Sequence, residues 1–205
     1  MTRLRFDDLR QYSDVLRSRH GEAVTVRFVE PRDAEALQTY FRSLSSRSRY
    51  SRFLGAASEL PATELEHVIH VGEGDRFSVV ATVQVQGRET IVGEARYAFD
   101  SEAASIEFGL SIDDRWQGHG IGKALLKNLE CRAASLGARR VYGDTLRSND
   151  TTIALARKAG YAFVNTPGDW RLTRFHKDIP LESQEIPCAS WRLAAASPGM
   201  SSLAV

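Results

Sequence analysis

The stretch 113–123, DDRWQGHGIGK, sets Gly118, Gly120 and Gly122 in a polar segment between a run of alternating apolar residues and a run of helical periodicity. Glycine there permits positive φ and lets a ligand approach the backbone closely. A helix N-terminus adds free N–H groups and the positive end of a dipole, so the chemistry on offer is anion binding. Spacing narrows the anion. A P-loop needs GxxxxGK followed by Ser or Thr, but Gly118 and Gly122 are too close and Ala124 follows Lys123, so no hydroxyl is set for Mg²⁺. A dinucleotide fingerprint needs glycine at 123, where Lys123 stands.

Two carboxylates precede this loop on predicted strands. Glu107 sits on the polar alternation of SIEFGLSI, and Glu94 lies in IVGEARY. From the residues alone each is either a solvated strand carboxylate or a proton acceptor. Asp113 and Asp114 would repel a phosphate and are expected to point away, toward Arg115. His67 and His70 lie near each other on a helix, but without carboxylate or cysteine at ligand spacing they imply no metal site. Cys131 reads as a small core residue. Arg47, Arg49 and Arg52 read as a solvated helix face, and Tyr40, Phe41, Tyr50 and Phe53 as core or cleft wall.

The elements that must position these groups follow from periodicity. Phe6, Leu9, Tyr12, Val15 and Leu16 suggest a short amphipathic helix in a lead-in over 1–22. A strand is expected over 24–29, helices after Pro31, over 47–53 and over 61–71. A hairpin spans 76–86 and 89–98, and a third strand 105–112. A helix over 120–136 stops at Gly137. A strand over 139–146, a helix over 149–159 closed by Gly160, and two last strands complete the domain at 176. From 177 to 205, proline and serine increase and an irregular tail is expected, with Trp191 docking on the domain or on a second subunit. Strands interrupted unevenly by helices imply an α+β fold.

The chain has 205 residues and 22.8 kDa, the size of one domain, with 27 Lys plus Arg against 26 Asp plus Glu. That balance argues against nucleic acid or an anionic membrane as partner. Two cysteines make no disulfide scaffold, no run reaches the roughly 18 apolar residues of a bilayer span, and MTRLRFDDLR is no signal peptide. A soluble, cytoplasmic protein is expected.

The spacing Gln117-x-x-Gly120-x-Gly122, between strand and helix, resembles the pyrophosphate-binding motif of the GNAT N-acetyltransferase superfamily. SNDTTIALARKAGYAF, 148–163, is similar to that superfamily's second conserved region. SLSSRSRYSRF (43–53), IEFGLSIDDRWQGHGIG and RRVYGDTLRSN narrow the resemblance to the acetyltransferase domain of Pat-type protein lysine acetyltransferases, over roughly residues 24–175. The resemblance implies a GNAT domain over 23–176, with a mixed, mostly antiparallel sheet splayed at the central strand and flanked by helices. It implies acetyl-CoA as co-substrate, with Leu110, Ser111 and Ile112 toward pantetheine and Gln117, Gly118, His119, Gly120, Ile121 and Gly122 toward pyrophosphate. Lys123 and Arg115 read either as partners of the 3′-phosphate of CoA or as surface charges with no role, and Asn149 is a cofactor contact, a helix cap, or both.

It also implies Glu107 as general base, with Glu94 in reserve. The family's usual tyrosine acid is replaced by Ala156, so no acid is assigned. The implied activity is acetyl transfer to an amine by direct attack in a ternary complex, a protein lysine being the first acceptor. A small amine or amino acid, or an idle acyl-CoA-binding module, are the alternatives. A homodimer is possible and no metal is required. Pat-type enzymes join this domain to a synthetase-like or cyclic-nucleotide domain that 205 residues do not accommodate, so regulation by such modules is not carried over.

Overall fold

The computed structural model describes residues 13–55, 57–71 and 75–180. Eight strands form one sheet in the order β1-β2-β3-β4-β5-β6-β8-β7. They are β1 Asp14–Arg17, β2 Ala23–Phe28, β3 Arg76–Val85, β4 Arg88–Asp100, β5 Ser105–Ile112, β6 Arg140–Leu146, β7 Ala162–Asn165 and β8 Leu172–Asp178. The helices are α1 Ala34–Ser43, α2 Ser46–Phe53, α3 Ala62–Ile69, α4 Ile121–Ser135 and α5 Asp150–Lys158. The architecture is the mixed, mostly antiparallel sheet expected, with helices on both faces.

Alternation sorts the two faces. Phe77, Tyr97 and Phe108 turn to one side, where Phe77 stacks on Tyr97 at 5.1 Å and Phe108 meets Tyr161 and Phe175. Helix α4 covers this side with Ile121, Leu125, Leu126 and Leu129, all buried. Glu94 and Ser111 turn to the other side, under α1 and α2, where the Tyr40 hydroxyl lies 2.9 Å from Ser111 Oγ.

Residues 14–17 correct the helix expected in the lead-in. They form β1, antiparallel to β2, with Asp14↔Val26 and Arg17↔Ala23. Val15 and Leu16 fit a helical stripe as well as a strand, and pairing with β2 decides between them. Asp14 is buried because Asn128 Nδ2 of α4 donates to its carboxylate at 2.9 Å, and Arg132 Nη2 approaches it at 3.4 Å. Phe6, Leu9 and Tyr12 lie outside the described residues. The tail boundary at 177 is also corrected. Val141 pairs with Lys177 and Arg140 with Asp178, and buried Ile179 donates its N–H to Arg139 O at 2.8 Å. Trp191 and the rest of 181–205 lie outside the described residues. Among those described, no helix is long and apolar enough to cross a membrane.

Candidate active site

The two sides of β5 are paired differently. Toward β4 it is antiparallel throughout, from Gly93↔Ile112 to Asp100↔Ser105. Toward β6 it is parallel and paired only at Ser105, Ile106 and Glu107, opposite Arg140, Val141 and Tyr142. Beyond that rung the strands separate. Asp113 N donates to Val92 O at 2.9 Å, which fixes the phase of the antiparallel ladder. By that phase, Glu107, Gly109 and Ser111 exchange hydrogen bonds with β4, while the N–H and C=O groups of Leu110 and Ile112 face the gap. Gly143 lets β6 start close to β5: a Cβ there would lie 2.6 Å from Phe108 O and 2.9 Å from Phe175 Cζ. The gap opens into a cleft of about 660 Å³ lined by Glu107, Leu110, Gln117, Asn149, Leu155 and Ala156, among others.

At the end of β5 the chain turns through Asp114–Trp116 into the glycine segment. Gly118 and Gly120 have φ of 80° and 83°, the left-handed region that glycine tolerates. Gln117 Nε2 donates to Ile112 O at 3.1 Å, tying the turn back to the strand. Gly122 packs α4 onto its surroundings, since a Cβ there would touch Leu155 at 3.4 Å and Ile112 at 3.7 Å. Lys123 is exposed on the first turn of α4, which has no acidic residue, whereas Ile121 is buried in the core.

Both aspartates before the turn are already engaged. Asp113 accepts from Ser43 Oγ and from Arg115 Nη2, each at 2.7 Å. Asp114 does not pair with Arg115. It accepts from Ser45 N at 2.8 Å and Ser48 Oγ at 2.7 Å, joining β5 to the start of α2. Burial works against both charges, but these bonds outweigh it and hold both carboxyls below the ordinary aspartate range.

The two glutamates share a face of adjacent strands and differ in surroundings. Glu107 is exposed, opposite Ala98 on β4 and Tyr142 on β6, and the Tyr142 hydroxyl donates to its Oε2 at 3.4 Å. Glu94 is 3% exposed. Arg52 Nε donates to its Oε1 at 2.7 Å, Ser111 Oγ to the same oxygen at 3.0 Å, and Arg96 Nε to Oε2 at 3.1 Å. Burial opposes the charge of Glu94, yet Arg52 and Arg96 outweigh it and lower its pKa. A carboxylate so committed is a poor proton acceptor, so Glu94 is withdrawn as reserve base.

This network is what the sequence did not disclose. Arg52 is largely buried against Glu94 and is not part of a solvated face. Its seat depends on Gly109, where a Cβ would lie 2.8 Å from Arg52 Nη1. The only sequence trace of the arrangement is a glycine on a strand that otherwise alternates well.

Asn149 caps α5, accepting from Thr152 N at 3.3 Å, and donates to Thr145 Oγ1 at 3.1 Å while lining the cleft. Ser111 lines it too, but its side chain is taken by Tyr40 and Glu94 and its backbone by β4. Ala156 is 1% exposed and brings no hydroxyl. Tyr161 packs in the core between Phe108 and Phe175. No group of three potential metal ligands occurs among the described residues.

Known proteins share this fold and sequence pattern. The sequence pattern of the acetyltransferase (GNAT) family matches residues 35–161. An acetyltransferase of Pseudomonas aeruginosa is 28% identical over 149 residues, covering 73% of this chain and 80% of that protein. Acetyltransferase Pat of Mycolicibacterium smegmatis is 28% identical over 163 residues, covering 79% of this chain and 47% of Pat, so the chain spans about half of that relative. The crystal structure of the GNAT domain of S. lividans PAT superposes with TM-score 0.74 at 25% identity, covering 82% of this chain and 97% of that one. A spermidine N-acetyltransferase from Vibrio cholerae, solved with CoA and spermine, shares the fold with TM-score 0.61 at 18% identity, covering 76% of this chain and 95% of that one.

Proposed function

The chain belongs to the GNAT acetyltransferase family, and from that premise we propose that it transfers the acetyl group of acetyl-CoA to an amine, a protein lysine first, by direct attack in a ternary complex. One observation carries the reading. The strand that bears exposed Glu107 turns the backbone groups of two residues, Leu110 and Ile112, into an opening seam and runs on into the glycine turn.

Acetyl-CoA supplies an activated thioester and a stable leaving thiolate. The residues present fit it. The free edge of β5 matches an amide-bearing arm, and the glycine turn with the start of α4 matches a pyrophosphate. Leu110 N–H is the donor for the thioester carbonyl, where negative charge develops. An amine near neutral pH is mostly protonated, since a free lysine has a pKa of about 10.4. Glu107 takes its proton directly or through water as the C–N bond forms and the C–S bond breaks. The thiolate then takes a proton from solvent, because Ala156 offers none. Support for a lysine acceptor comes from the likeness to Pat alone.

Thermal shift tests the donor. Acetyl-CoA at about 100 times its Kd adds roughly 2.7 kcal/mol, a rise of several degrees, and CoA does the same while NAD and ATP do not. Acetyl-CoA turnover on lysine peptides, polyamines and free amino acids tests the acceptor. Peptide turnover alone supports the lysine reading, and turnover only on small amines replaces it. Binding without turnover on any acceptor makes the chain an acyl-CoA-binding module.

A further inference from the structure

We infer that the turn between β1 and β2, residues 18–22, braces the phosphate-binding glycine turn, with Ser18, His20 and Glu22 as positioning residues acting through His119. This deepens the acetyl-CoA reading and rests on it. Residues 18–22 lie outside the span 35–161 that the family pattern matches, so the brace is not part of that pattern.

The brace is built from both sides. Arg19 N donates to His119 O at 2.6 Å, inside the glycine turn. Gly120, at φ 83°, leaves only 3.5 Å between a would-be Cβ and Arg19 N. The rings of His20 and His119 meet edge to face at 4.8 Å, Trp116 lies 5.4 Å from His119 on another side, and Glu22 Oε2 is 3.5 Å from His119 Nδ1.

The brace is itself rigid. Ser18, 7% exposed, accepts from His20 N at 3.2 Å and Glu22 N at 3.1 Å, and donates to Glu22 Oε2 at 2.6 Å. Further along, Asn128 of α4 bonds Asp14 of β1, so the hairpin grips α4 at two places. Fixing residue 119 holds Gly118 and Gly120 in their left-handed conformations before any ligand arrives. The ordering cost of binding a pyrophosphate there is then already met by the fold.

Ser18→Ala tests this, since it loosens the turn without changing any charge. The expected result is a rise of about three- to tenfold in KM and Kd for acetyl-CoA. kcat should be unchanged, and so should kcat/KM for acetyl-pantetheine, which carries the thioester and arm without the phosphates. Equal losses with both donors would show a general structural role and overturn the inference, as would no change with either. If Ser18→Ala does not fold, His20→Ala is read by the same two donors. Failure of the unmodified protein to bind CoA in calorimetry would strike the acetyl-CoA reading itself. CoA binding that Ser18→Ala leaves intact would strike only the brace.

Discussion

Glu94 and Glu107 are the same residue type on the same face of adjacent strands, and their surroundings make them opposites. Glu94 is sealed under α1 and α2 and shared between two guanidinium groups. Glu107 stands where β5 and β6 part company, with one weak phenolic partner and open solvent. The first is a structural anion whose charge cannot be spared. The second is an exposed carboxylate lining the cleft. Strand alternation puts both on one face, and the helices and two arginines that cover Glu94 alone set them apart.

The difference can be broken most forcefully at Glu94. Glu94→Ala leaves Arg52 and Arg96 without their shared partner, and breaking a buried pair costs about 3–5 kcal/mol. Urea unfolding should show that loss, whereas Glu107→Ala should stay within about 0.5 kcal/mol of the parent. A loss below about 1 kcal/mol for Glu94→Ala would mean that the buried charges compensate each other poorly.

Next is turnover. Glu107→Gln should lower kcat by roughly 100-fold while leaving acetyl-CoA binding intact, as removal of a general base does. Unchanged kcat, measured by thiol release, would remove Glu107 from the mechanism.

Acidity sharpens the contrast further. Because the folded pKa of Glu94 is depressed, its contribution to stability is complete above the unfolded glutamate value of about 4.3 and is lost as pH falls through the lower folded value. Urea midpoints should therefore fall below about pH 4 in the parent, and less steeply in Glu94→Gln. Parallel slopes would show that other carboxylates govern acid unfolding.

The smallest effect is expected at Gly109→Ala. The new Cβ meets the guanidinium end of Arg52, which must shift a little on its long side chain, so a loss of about 1 kcal/mol should appear in the same urea assay. A larger loss would show that Arg52 is held as rigidly as its partner.

What the sequence disclosed follows the range of the interactions. The alternation Ile106, Phe108, Leu110 against Glu107, Gly109, Ser111 defines β5 locally, and the glycines after it mark the turn before any fold is known. The parallel pairing of β5 with β6 was not read from periodicity; only the family resemblance implied a mixed sheet. The Arg52–Glu94 pair was not legible, since its members lie 42 residues apart and nothing local distinguishes a buried arginine on a short polar helix from a solvated one. β1 escaped for a similar reason. Its four residues carry too little pattern, and their partners are the neighbouring strand and the Asn128–Arg132 turn of α4, more than 100 residues away.

The three-rung seam between β5 and β6 also divides the sheet into two blocks. β1 to β5 pair with their neighbours in strand order, and the β2–β3 ladder, with Thr25↔Thr82, closes over the three helices α1 to α3. β6, β8 and β7 form a second block that follows α4 in the chain; its ladder with the first is confined to Ser105, Ile106 and Glu107, and Phe108 packs on Tyr161 and Phe175 beside it. The cleft is therefore a boundary between two blocks of one sheet, over a hydrophobic core that both share. With three rungs the seam is the shortest ladder of the sheet, and so the natural place for local opening in the finished protein.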